Sequence, residues 1–586
     1  MRLSELLAVL PEAAPYSGPD PEITSVVYDG RRAGPGSLYV ARMHRGYAHD
    51  PHDFAAQAFR NGAVAAVVQR PIAAPEGTPV VVVPDSARAL GWLAAAVNGF
   101  PTARLGAVGV TGTDGKTTTC ALTTAVLEAA GHRTGMISTV ASKAAGAARE
   151  NPAHTSTPEA VEVQAVLAET VAGGGTRAVV ETTSHALDQQ RLAGCEFDVA
   201  VVTRVTHEHM DYHGTYEAYL GAKAGLLDLL RPDAVHPKAI PWPKAAVLNA
   251  DDASFEALAA RSPAPVLRFG VDTSGADVRA VDVRDGAWGS AFRVLSPWGE
   301  GELALPLPGA FNVYNALAAI AAGCTLGAPF ATALRALEGH GGVAGRMERV
   351  DGGQPFAVIV DFAHTPDALT QVLTALRRQT PGRLIAVFGS AGERDRAKRP
   401  WMGRIAAELA DFFVLTDEDP RLERRESILE EIAAGARAAG AAEGEQYVCI
   451  ADREAAVDAA IERAAAGDTV LLAGKGHERS IIGAAGGRLR VFPWDERDAA
   501  RPAPSGAHRG LPIRQGGHGH GGERRPGRGR PGGVARGQPA QEVAQAERRR
   551  GRRRLRLRHS PAGAAPPGRL RARPRGRPAA GRRRRR

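Results

Sequence analysis

The feature that most constrains this chain is the segment GVTGTDGKTT at residues 109–118, which lies between the apolar run RLGAVGV and the helical pattern KTTTCALTTAVLEAAGH. In such a strand–loop–helix unit, glycines let the backbone wrap a phosphate, and free N–H groups at the helix start point towards it. Lys116 would place a positive charge on the outer phosphates, and the Thr117 hydroxyl would bind Mg²⁺. The spacing differs from the ordinary P-loop because residue 110 is valine. The segment predicts a nucleotide-binding α/β domain.

Strand-like runs alternate with helical patterns along most of the chain. After the loop come RAVVETT, FDVAVVTRV and AAVLNA, whose near-continuous apolar character predicts a parallel sheet covered on both faces. Before it, SLYVARM, AVAAVVQ and PVVVVP predict strands, and FAAQAFRNG predicts a helix that ends at Gly62. Beyond the glycine-rich joint at 339–346, the runs PFAVIVDF, RLIAVFGS, DFFVLTDED, YVCIAD and DTVLLAGKG predict a second doubly wound unit.

These patterns predict an α/β fold with three domains and a tail. A small N-terminal α/β domain would span 1–100, a central P-loop-type domain with a parallel sheet 101–340, and a C-terminal Rossmann-like domain 341–501. Residues 502–586 would form a disordered basic tail, because this stretch is dominated by Arg, Gly, Pro and Ala. Such a composition is typical of a GC-rich gene read in a shifted frame, which we favour over a nucleic-acid-binding arm because no aromatic residue is present for base stacking.

The charge distribution, the apolar runs and the cysteines of the chain indicate its location and exclude some partners. The residues from Arg501 onwards carry a net charge of +23 and the first 500 a net charge of −13, so the basic pI comes from the tail. We expect a cytoplasmic monomer with no membrane or nucleic-acid partner, because no apolar run reaches about 18 residues and the start lacks a secretory pattern. The four cysteines lie far apart without a CxxC pair, which argues for a reducing compartment and against a cysteine metal site.

Several polar segments follow the predicted strands. Glu181 ends a strand beside the phosphate loop, where a carboxylate is an expected Mg²⁺ ligand, although alone it could equally be an exposed acid. The segment HEHMDYH at 207–213 suggests zinc by composition, but it is not HExxH and no cysteine joins it. The hydroxyls of the TSTPE segment at 155–159 suit sugar and peptide oxygens, or cap a helix. Asn312 could likewise cap a helix instead of binding adenine.

With these segments, the chain resembles the Mur ligases, the ATP-dependent amide-bond ligases of peptidoglycan precursor synthesis, over about residues 20–500. The resemblance implies a ligase that joins a diamino acid to UDP-N-acetylmuramoyl-L-alanyl-D-glutamate through an acyl phosphate. The diamino acid would be meso-diaminopimelate, with L-lysine and L-ornithine left open. ATP, two Mg²⁺ ions and a CO₂-derived carbamate on Lys223 are the implied cofactors.

The resemblance also assigns roles to residues. Catalysis falls to Lys116, Glu181, His209 and Lys223, and Mg²⁺ to Thr117, Glu181, His209 and carbamylated Lys223. ATP would contact Gly112, Thr113, Asp114, Gly115, Lys116, Thr117, Thr118, Asn312, Asn315, Arg346 and Asp361, where Asp114 replaces the family's more frequent Asn. The UDP-muramoyl dipeptide would contact Asp29, Arg31, Thr155, Ser156, Thr157, Ser184, Gln189 and Arg191. The incoming amino acid would contact Arg394, Glu418, Asp419, Pro420, Arg421, Gly474 and Glu478.

The choice of diamino acid depends on charge. Arg394 and Arg421 can each fork onto a carboxylate, and Glu478 can pair with a distal ammonium. Arg421 favours meso-diaminopimelate because of its second carboxylate. Asp419 stands where the family usually has Asn, and its added negative charge keeps lysine and ornithine open.

Three alternatives differ in class. A ligase similar to folylpolyglutamate synthase would share the loop at 109–118 but not the N-terminal domain or the segments at 155–159, 361–368 and 474–478. A nucleotide-dependent regulatory protein would have lost catalysis, against which stand the intact Lys116, Glu181, His209 and Lys223. A nucleic-acid-binding protein would act through its tail and would show salt-sensitive binding.

Overall fold

Three β-sheets flanked by helices organise the computed structural model. The structure describes residues 1–11, 16–45, 49–144, 146–150, 155–230, 238, 240–286 and 288–501. The predicted disordered tail at 502–586 lies outside these residues. The predicted α/β fold built on parallel sheets is confirmed. Within the part of the chain that is described, each helix is too short or too polar to cross a bilayer.

The N-terminal sheet is small and fully parallel. Its strands are β1 (Ser25–Val27), β2 (Ser37–Val40), β3 (Ala63–Val68) and β4 (Val80–Val82), in that spatial order, and its helices are α1 (Leu3–Leu7), α2 (Ala55–Arg60) and α3 (Ser86–Val97). Both faces of β2 are covered, since Leu38 and Val40 pack with Leu90 of α3 while Tyr39 packs with Ala58 of α2. The three strands and the helix predicted here are therefore confirmed, with shorter bounds.

The central sheet carries the phosphate loop between a strand and a helix. Its first half contains β5 (Gly106–Thr111), α4 (Lys116–Ala129), β6 (Thr134–Ile137), β7 (Ala141–Ala144), β8 (Ala147–Glu150), α5 (Ala160–Ala172), β9 (Arg177–Glu181), α6 (Ser184–Asp188) and β10 (Val199–Val202). Its second half contains α7 (Met210–His213), α8 (Tyr216–Asp228), β11 (Ala245–Asn249), α9 (Phe255–Arg261), β12 (Val266–Gly270), β13 (Val278–Gly286), β14 (Gly289–Ser296), β15 (Gly299–Leu305), α10 (Ala310–Thr325) and α11 (Phe330–Glu338).

The spatial order of this sheet is β15-β14-β13-β12-β11-β10-β5-β9-β6-β7-β8. The strands from β13 to β6 pair in parallel, as predicted, and β5 lies among them with both faces buried. The antiparallel extension through β14 and β15 was not predicted. These strands bury alternate residues only, such as Phe292 and Val294, so they lack the continuous apolar runs from which the parallel strands were recognised.

The C-terminal sheet has the order β16-β17-β21-β18-β19-β20. Its elements are β16 (Glu348–Val350), β17 (Ala357–Asp361), α12 (Pro366–Arg377), β18 (Leu384–Phe388), α13 (Lys398–Leu409), β19 (Phe412–Leu415), α14 (Arg425–Ala438), β20 (Tyr447–Cys449), α15 (Arg453–Arg463) and β21 (Thr469–Ala473), followed by the hairpin β22 (Ser480–Ala485) and β23 (Arg488–Pro493) and by α16 (Glu496–Ala499). The five predicted strands are confirmed, and the hairpin was not predicted. Because β21 lies between β17 and β18, the Gly474 amide donates to the Asp361 carbonyl over 3.1 Å, which gathers distant segments at one sheet edge.

Candidate functional site

The loop between β5 and α4 follows a path that requires glycine at two positions. Gly112 has φ +148° and Gly115 has φ +81°. A Cβ atom at residue 112 would lie 1.9 Å from Thr203 Oγ1, and one at residue 115 would lie 2.3 Å from Asn315 Oδ1. The loop is thus packed against the end of β10 on one side and against α10 on the other, in the strand–loop–helix context that the sequence predicted.

Hydrogen bonds from neighbouring elements fix this loop. Thr203 Oγ1 donates to the Asp114 carbonyl over 2.6 Å, and the Thr113 amide donates to the Arg204 carbonyl over 2.6 Å. Lys116 Nζ donates to the Thr113 carbonyl over 2.6 Å. The cation therefore already lies against the loop in which the sequence places a phosphate.

The first turn of α4 meets the end of β9 in a cluster of oxygens. Glu181 is only 1% exposed, and its carboxylate accepts hydrogen bonds from Thr117 Oγ1 at 3.1 Å and from Thr139 Oγ1 at 2.8 Å. Thr139 was not predicted, although it follows β6, which lies beside β9 in the sheet. Two hydroxyls and one carboxylate are ligands that suit Mg²⁺, so the donors present fit this ion.

Lys223 of α8 is a buried lysine beneath the loop. It is 2% exposed, its Nζ donates to the Gly112 carbonyl over 2.6 Å, and it lies 4.4 Å from the ring centre of Tyr219. Burial, together with the nearby charge of Lys116, holds the pKa of Lys223 well below its ordinary value. This lowering favours the neutral amine, the form that can act as a nucleophile.

The HEHMDYH segment contributes an acid that was not predicted. Glu208 accepts a hydrogen bond from Tyr219 Oη at 3.2 Å and lies 3.7 Å from His209. Burial raises the pKa of Glu208, but the charges of His209 and Lys116 outweigh it and lower the pKa to about 2. His209, with φ +56°, packs 4.6 Å from the ring of His185, and its described contacts do not include Glu181.

Zinc finds no support in this segment. Among the described residues, no group of three or more His, Cys, Asp or Glu side chains is arranged to hold a metal ion. The rings of His185, His209 and His213 pack on one another and on Tyr212. Burial and the neighbouring histidines lower the pKa of His185 to about 4, so this packed ring is neutral near pH 7.

Three of the residues predicted for the sugar-peptide substrate connect to Glu181 by hydrogen bonds, directly or through one neighbour. The hydroxyls of Thr139 and Ser156 form a hydrogen bond of 2.7 Å, and Thr157 Oγ1 donates to the Glu181 carbonyl over 2.8 Å. Arg191 binds the Thr157 carbonyl at 2.8 Å. The remaining contacts in this group are Arg191 with Gln189 at 2.7 Å and Ser184 with His213 at 3.1 Å, while Thr155 is exposed.

An arginine from the N-terminal sheet joins this cluster. Arg42 pairs with Glu159 at 2.5 Å, and Arg191 pairs with the same carboxylate at 3.2 Å. Arg42 was not predicted, although it lies near the end of the predicted strand SLYVARM. The predicted Asp29 and Arg31 bind each other, with Arg31 Nη2 at 2.8 Å from Asp29 Oδ2.

Seven of the residues predicted to bind ATP line one cleft between the central and C-terminal sheets. Asn315 Nδ2 donates to Asn312 Oδ1 over 3.0 Å, and Asn315 Oδ1 accepts from Thr119 at 3.2 Å. The alternative that Asn312 caps a helix is wrong, because α10 begins at Ala310 after Gly309. The seven residues are Asp114, Gly115, Thr118, Asn312, Asn315, Arg346 and Asp361.

The far wall of the cleft comes from the segment after the glycine-rich joint. Arg346 Nη2 donates to Thr117 Oγ1 over 3.2 Å, and its guanidinium lies 4.6 Å from the ring centre of Phe362. Asp361 accepts from the Met347 and Ala363 amides at 2.6 and 2.8 Å. Burial raises the pKa of Asp361, while Arg346 and these amides oppose the rise.

The three segments predicted to hold an amino acid meet at the edge of the C-terminal sheet. The Gly392 amide donates to the Asp419 carbonyl over 2.8 Å, and Lys475 Nζ donates to Asp419 Oδ1 at 2.8 Å and to Glu478 Oε2 at 2.5 Å. Gly474 lies beside Glu418, since a Cβ atom at 474 would be 3.5 Å from Glu418 Cγ. Arg394, Pro420 and Arg421 belong to the same segments, with Arg421 at φ +55° and Arg394 exposed.

Comparison with known proteins agrees with this geometry. The family description "Mur ligase middle domain" matches residues 110–323, and "Mur ligase, glutamate ligase domain" matches residues 345–476. The chain is 48% identical to the "UDP-N-acetylmuramyl-tripeptide synthetase" of Roseiflexus sp. (strain RS-1) over 512 residues, which cover 86% of this chain and 98% of the relative. It is 41% identical to the "UDP-N-acetylmuramoyl-L-alanyl-D-glutamate--2,6-diaminopimelate ligase" of Bacillus licheniformis over 86% of this chain and 99% of the relative.

A solved structure supports the same relationship. The "Structure of UDP-N-acetylmuramoyl-L-alanyl-D-glutamate--2, 6-diaminopimelate ligase" superposes with a TM-score of 0.58 and 30% identity, over 85% of this chain and 98% of that one. The two matched regions, 110–323 and 345–476, lie on the central and the C-terminal sheet, and residues from both regions line the cleft. The chain belongs to the Mur ligase family of ATP-dependent ligases.

Proposed function

We propose that the protein joins a diamino acid, meso-diaminopimelate, to the D-glutamate of UDP-N-acetylmuramoyl-L-alanyl-D-glutamate, with ATP converted to ADP and phosphate. The observation that carries the proposal is the contact of Arg346 with Thr117. It closes the nucleotide cleft from the side of the amino-acid segments and brings two cations, Lys116 and Arg346, to the phosphate loop. The relatives at 41% and 48% identity carry names for this class of reaction.

In the first step, an oxygen of the D-glutamate γ-carboxylate attacks the γ-phosphorus of ATP. A P–O bond to the γ-phosphoryl group forms, the bond to the β-phosphate oxygen breaks, and ADP leaves. Lys116 and Arg346 would stabilise the negative charge that builds between carboxylate and triphosphate. Mg²⁺, when bound by Thr117 and Glu181, supplies further charge neutralisation on the phosphates.

In the second step, the amine of the diamino acid attacks the acyl carbon, phosphate leaves, and the nitrogen loses a proton. The segments around Glu418, Arg421 and Gly474 would orient that amine. The cluster of Ser156, Thr157 and Arg191 would hold the sugar-peptide so that its carboxylate reaches the phosphate loop. Lys223, as a carbamate, and His209 would complete a second Mg²⁺ site, for which the burial and the lowered pKa of Lys223 are the support.

Each of the three sheets would belong to a part of the chain that binds a different substrate. We propose that residues 1–100 bind the UDP-sugar, with Arg42 and Arg31 as cations near the diphosphate, that 101–340 bind ATP and that 341–501 bind the amino acid. The protein would act as a monomer in the cytoplasm, where free thiols such as Cys120, Cys195 and Cys324 persist.

The test is a reconstituted reaction. Purified protein is incubated with MgATP, the UDP-muramoyl dipeptide and, in separate reactions, meso-diaminopimelate, L-lysine and L-ornithine, and phosphate release and the product mass are measured. We expect phosphate release that needs both substrates and a product mass that contains meso-diaminopimelate. If a tripeptide forms only with lysine or only with ornithine, that amino acid is the substrate and not meso-diaminopimelate. Folate-dependent phosphate release, or an undiminished rate for Lys116→Ala, would contradict the proposed function.

A further inference from the structure

His364 lies between the phosphate side and the amino-acid side of the cleft. It follows β17, and the centres of its ring and the Phe362 ring are 4.6 Å apart. The same Phe362 ring lies 4.6 Å from the Arg346 guanidinium and 5.2 Å from the ring of His477. Arg346 reaches the phosphate loop, whereas His477 belongs to a segment predicted to hold the amino acid. His364 is therefore placed where a phosphorylated carboxyl group and an amine have to meet.

The backbone fixes one ring nitrogen of His364. Nδ1 lies 2.8 Å from the Phe362 carbonyl oxygen, and because that oxygen can only accept, Nδ1 carries the hydrogen and donates it. In the neutral ring the lone pair is then on Nε2. The half-buried side chain forms this one hydrogen bond within the part of the chain that is described. Lys398 Nζ donates to the His364 carbonyl over 2.7 Å, which holds the backbone that carries the ring.

The charges that reach His364 come from three other segments. They belong to Lys398 of α13, to Glu418 after β19, and to Glu208 and His209 after β10. Burial lowers the pKa of His364 and Lys398 lowers it further, while Glu418 and Glu208 act in the opposite direction. The net lowering favours the neutral ring near pH 7, which is the form that can accept a proton.

We propose that His364 is the catalytic base of amide formation and that its Nε2 accepts the proton that the attacking amine has to release. The inference deepens the proposed function and rests on it. The amine nitrogen forms the C–N bond to the acyl carbon, and the C–O bond to the phosphate breaks. The N–H proton passes to Nε2 and gives an imidazolium ion. That ion returns the proton to the departing phosphate, which leaves as hydrogen phosphate, and the neutral ring is restored.

Three neighbouring acceptors of the central domain suit this task less well. The pKa of Glu208 is lowered to about 2 and that of His185 to about 4, so each holds a proton too weakly near pH 7. His213 Nε2 already contacts Ser184 Oγ over 3.1 Å. His364 differs from them because its Nδ1 binds the protein and its Nε2 keeps the lone pair.

The experiment uses two nucleophiles to separate proton transfer from acyl-phosphate formation. Full-length His364→Gln is incubated with MgATP, the UDP-muramoyl dipeptide and either the diamino acid that the wild type accepts or hydroxylamine, whose weakly basic nitrogen loses its proton to water without a base. We expect kcat with the diamino acid to fall by about 100-fold or more. Hydroxamate formation and KM for ATP should stay within about threefold of wild type. His132→Gln, which replaces a histidine beside Arg177 after α4, is the matched control.

A pH profile and a chemical rescue test the same role in a second way. The kcat of His364→Gln should rise with pH more steeply than that of the wild type between about pH 6.5 and 9, because hydroxide then has to take the proton. Added imidazole should accelerate His364→Ala in proportion to the concentration of neutral imidazole. The same imidazole should leave the wild type and His132→Gln unchanged.

Equal losses of amide and hydroxamate formation in His364→Gln, or a kcat equal to that of His132→Gln, would overturn the inference. Melting temperatures show whether His364→Gln folds. If it does not, His364→Ala with imidazole decides, and a lack of rescue would contradict the role of His364. A wild-type protein that forms neither amide nor hydroxamate would instead contradict the proposed function.

Discussion

Arg346 Nη2 donates a hydrogen bond to Thr117 Oγ1 over 3.2 Å, across 229 positions of the chain. Thr117 lies in the first turn of α4, whereas Arg346 follows the glycine-rich joint. The joint itself is tightly packed, because a Cβ atom on Gly345 would lie 2.1 Å from the His477 amide nitrogen. The backbone at this joint therefore fixes where the guanidinium meets the phosphate loop.

Replacing Arg346 with alanine should reduce kcat by about 100-fold, because a preorganised cation next to the transferred phosphoryl group is lost. Arg346→Lys should recover part of this loss, since the charge remains without the forked geometry. Steady-state phosphate release measures the effect. Arg335→Ala, which removes an exposed arginine of α11, is the control. A rate for Arg346→Ala equal to that of the control would rule out this role.

Thr139→Val should raise the Mg²⁺ concentration needed for half-maximal rate by about 10-fold, since a residue that orients a ligand is lost. The hydroxyl and the amide of Thr139 both donate to Glu181, at 2.8 Å each, and valine keeps only the amide. A titration of rate against Mg²⁺ at saturating ATP measures this. Thr325→Val, remote in α10, is the control, and an unchanged Mg²⁺ dependence in Thr139→Val would contradict the prediction.

Asp114→Asn should stabilise the ligand-free protein above pH 6. Burial, with a contribution from Glu208, raises the pKa of Asp114 to about 6 from its ordinary 3.8. The folded state thus holds this proton more tightly than the unfolded state, so the carboxyl group costs stability progressively as pH rises from about 4 to 6. Asparagine cannot ionise and has no such cost. The free energy of unfolding of the variant should exceed that of the parent by at most about 3 kcal/mol.

Urea unfolding of both forms between pH 4.5 and 7.5 checks this sign. The difference in unfolding free energy between variant and parent should grow with pH and level off above about 6. Curves that stay parallel over the whole range would show that Asp114 does not bind its proton more tightly in the folded state.

Much of the site was predictable because parallel strands end at a common edge. Val110 of β5 pairs with Glu181 of β9 in the sheet register, so the phosphate loop and the acid become neighbours once the strands are recognised. The same rule places Asp361 beside Gly474. These predictions needed only the strand ends, which are encoded locally in apolar runs, and the rule that parallel strands end at a common edge.

The unpredicted residues act through contacts that no local pattern encodes. Thr139 follows the short strand β6, and its role depends on which strand β6 pairs with. Arg42 reaches Glu159 across 117 positions, from a different sheet. Lys475 stood inside a recognised segment, but only its burial between Asp419 and Glu478 shows that it cancels their charge. Such roles follow from side-chain packing and not from residue spacing.

Lys223→Ala should lose at least about 100-fold in rate, and a short carboxylate such as acetate or formate should restore part of it. The reason is the burial of this side chain, because its lowered pKa favours the neutral amine, the form that can add to CO₂ and give a carbamate. The carbamate would place an oxygen ligand beneath the phosphate loop, which the alanine variant with an added carboxylate would mimic.

Rates with and without added acetate, at constant ionic strength, measure the rescue of Lys223→Ala. Lys143→Ala, which removes a lysine paired with Glu128, controls for effects of acetate on the enzyme and should gain nothing. Lys223→Arg should remain inactive with acetate, because guanidinium keeps the positive charge and fills the space under Gly112. Full activity of Lys223→Ala without acetate would exclude the carbamate. Strong activity of Lys223→Arg would show that a cation at this position, and not an oxygen ligand, supports the reaction.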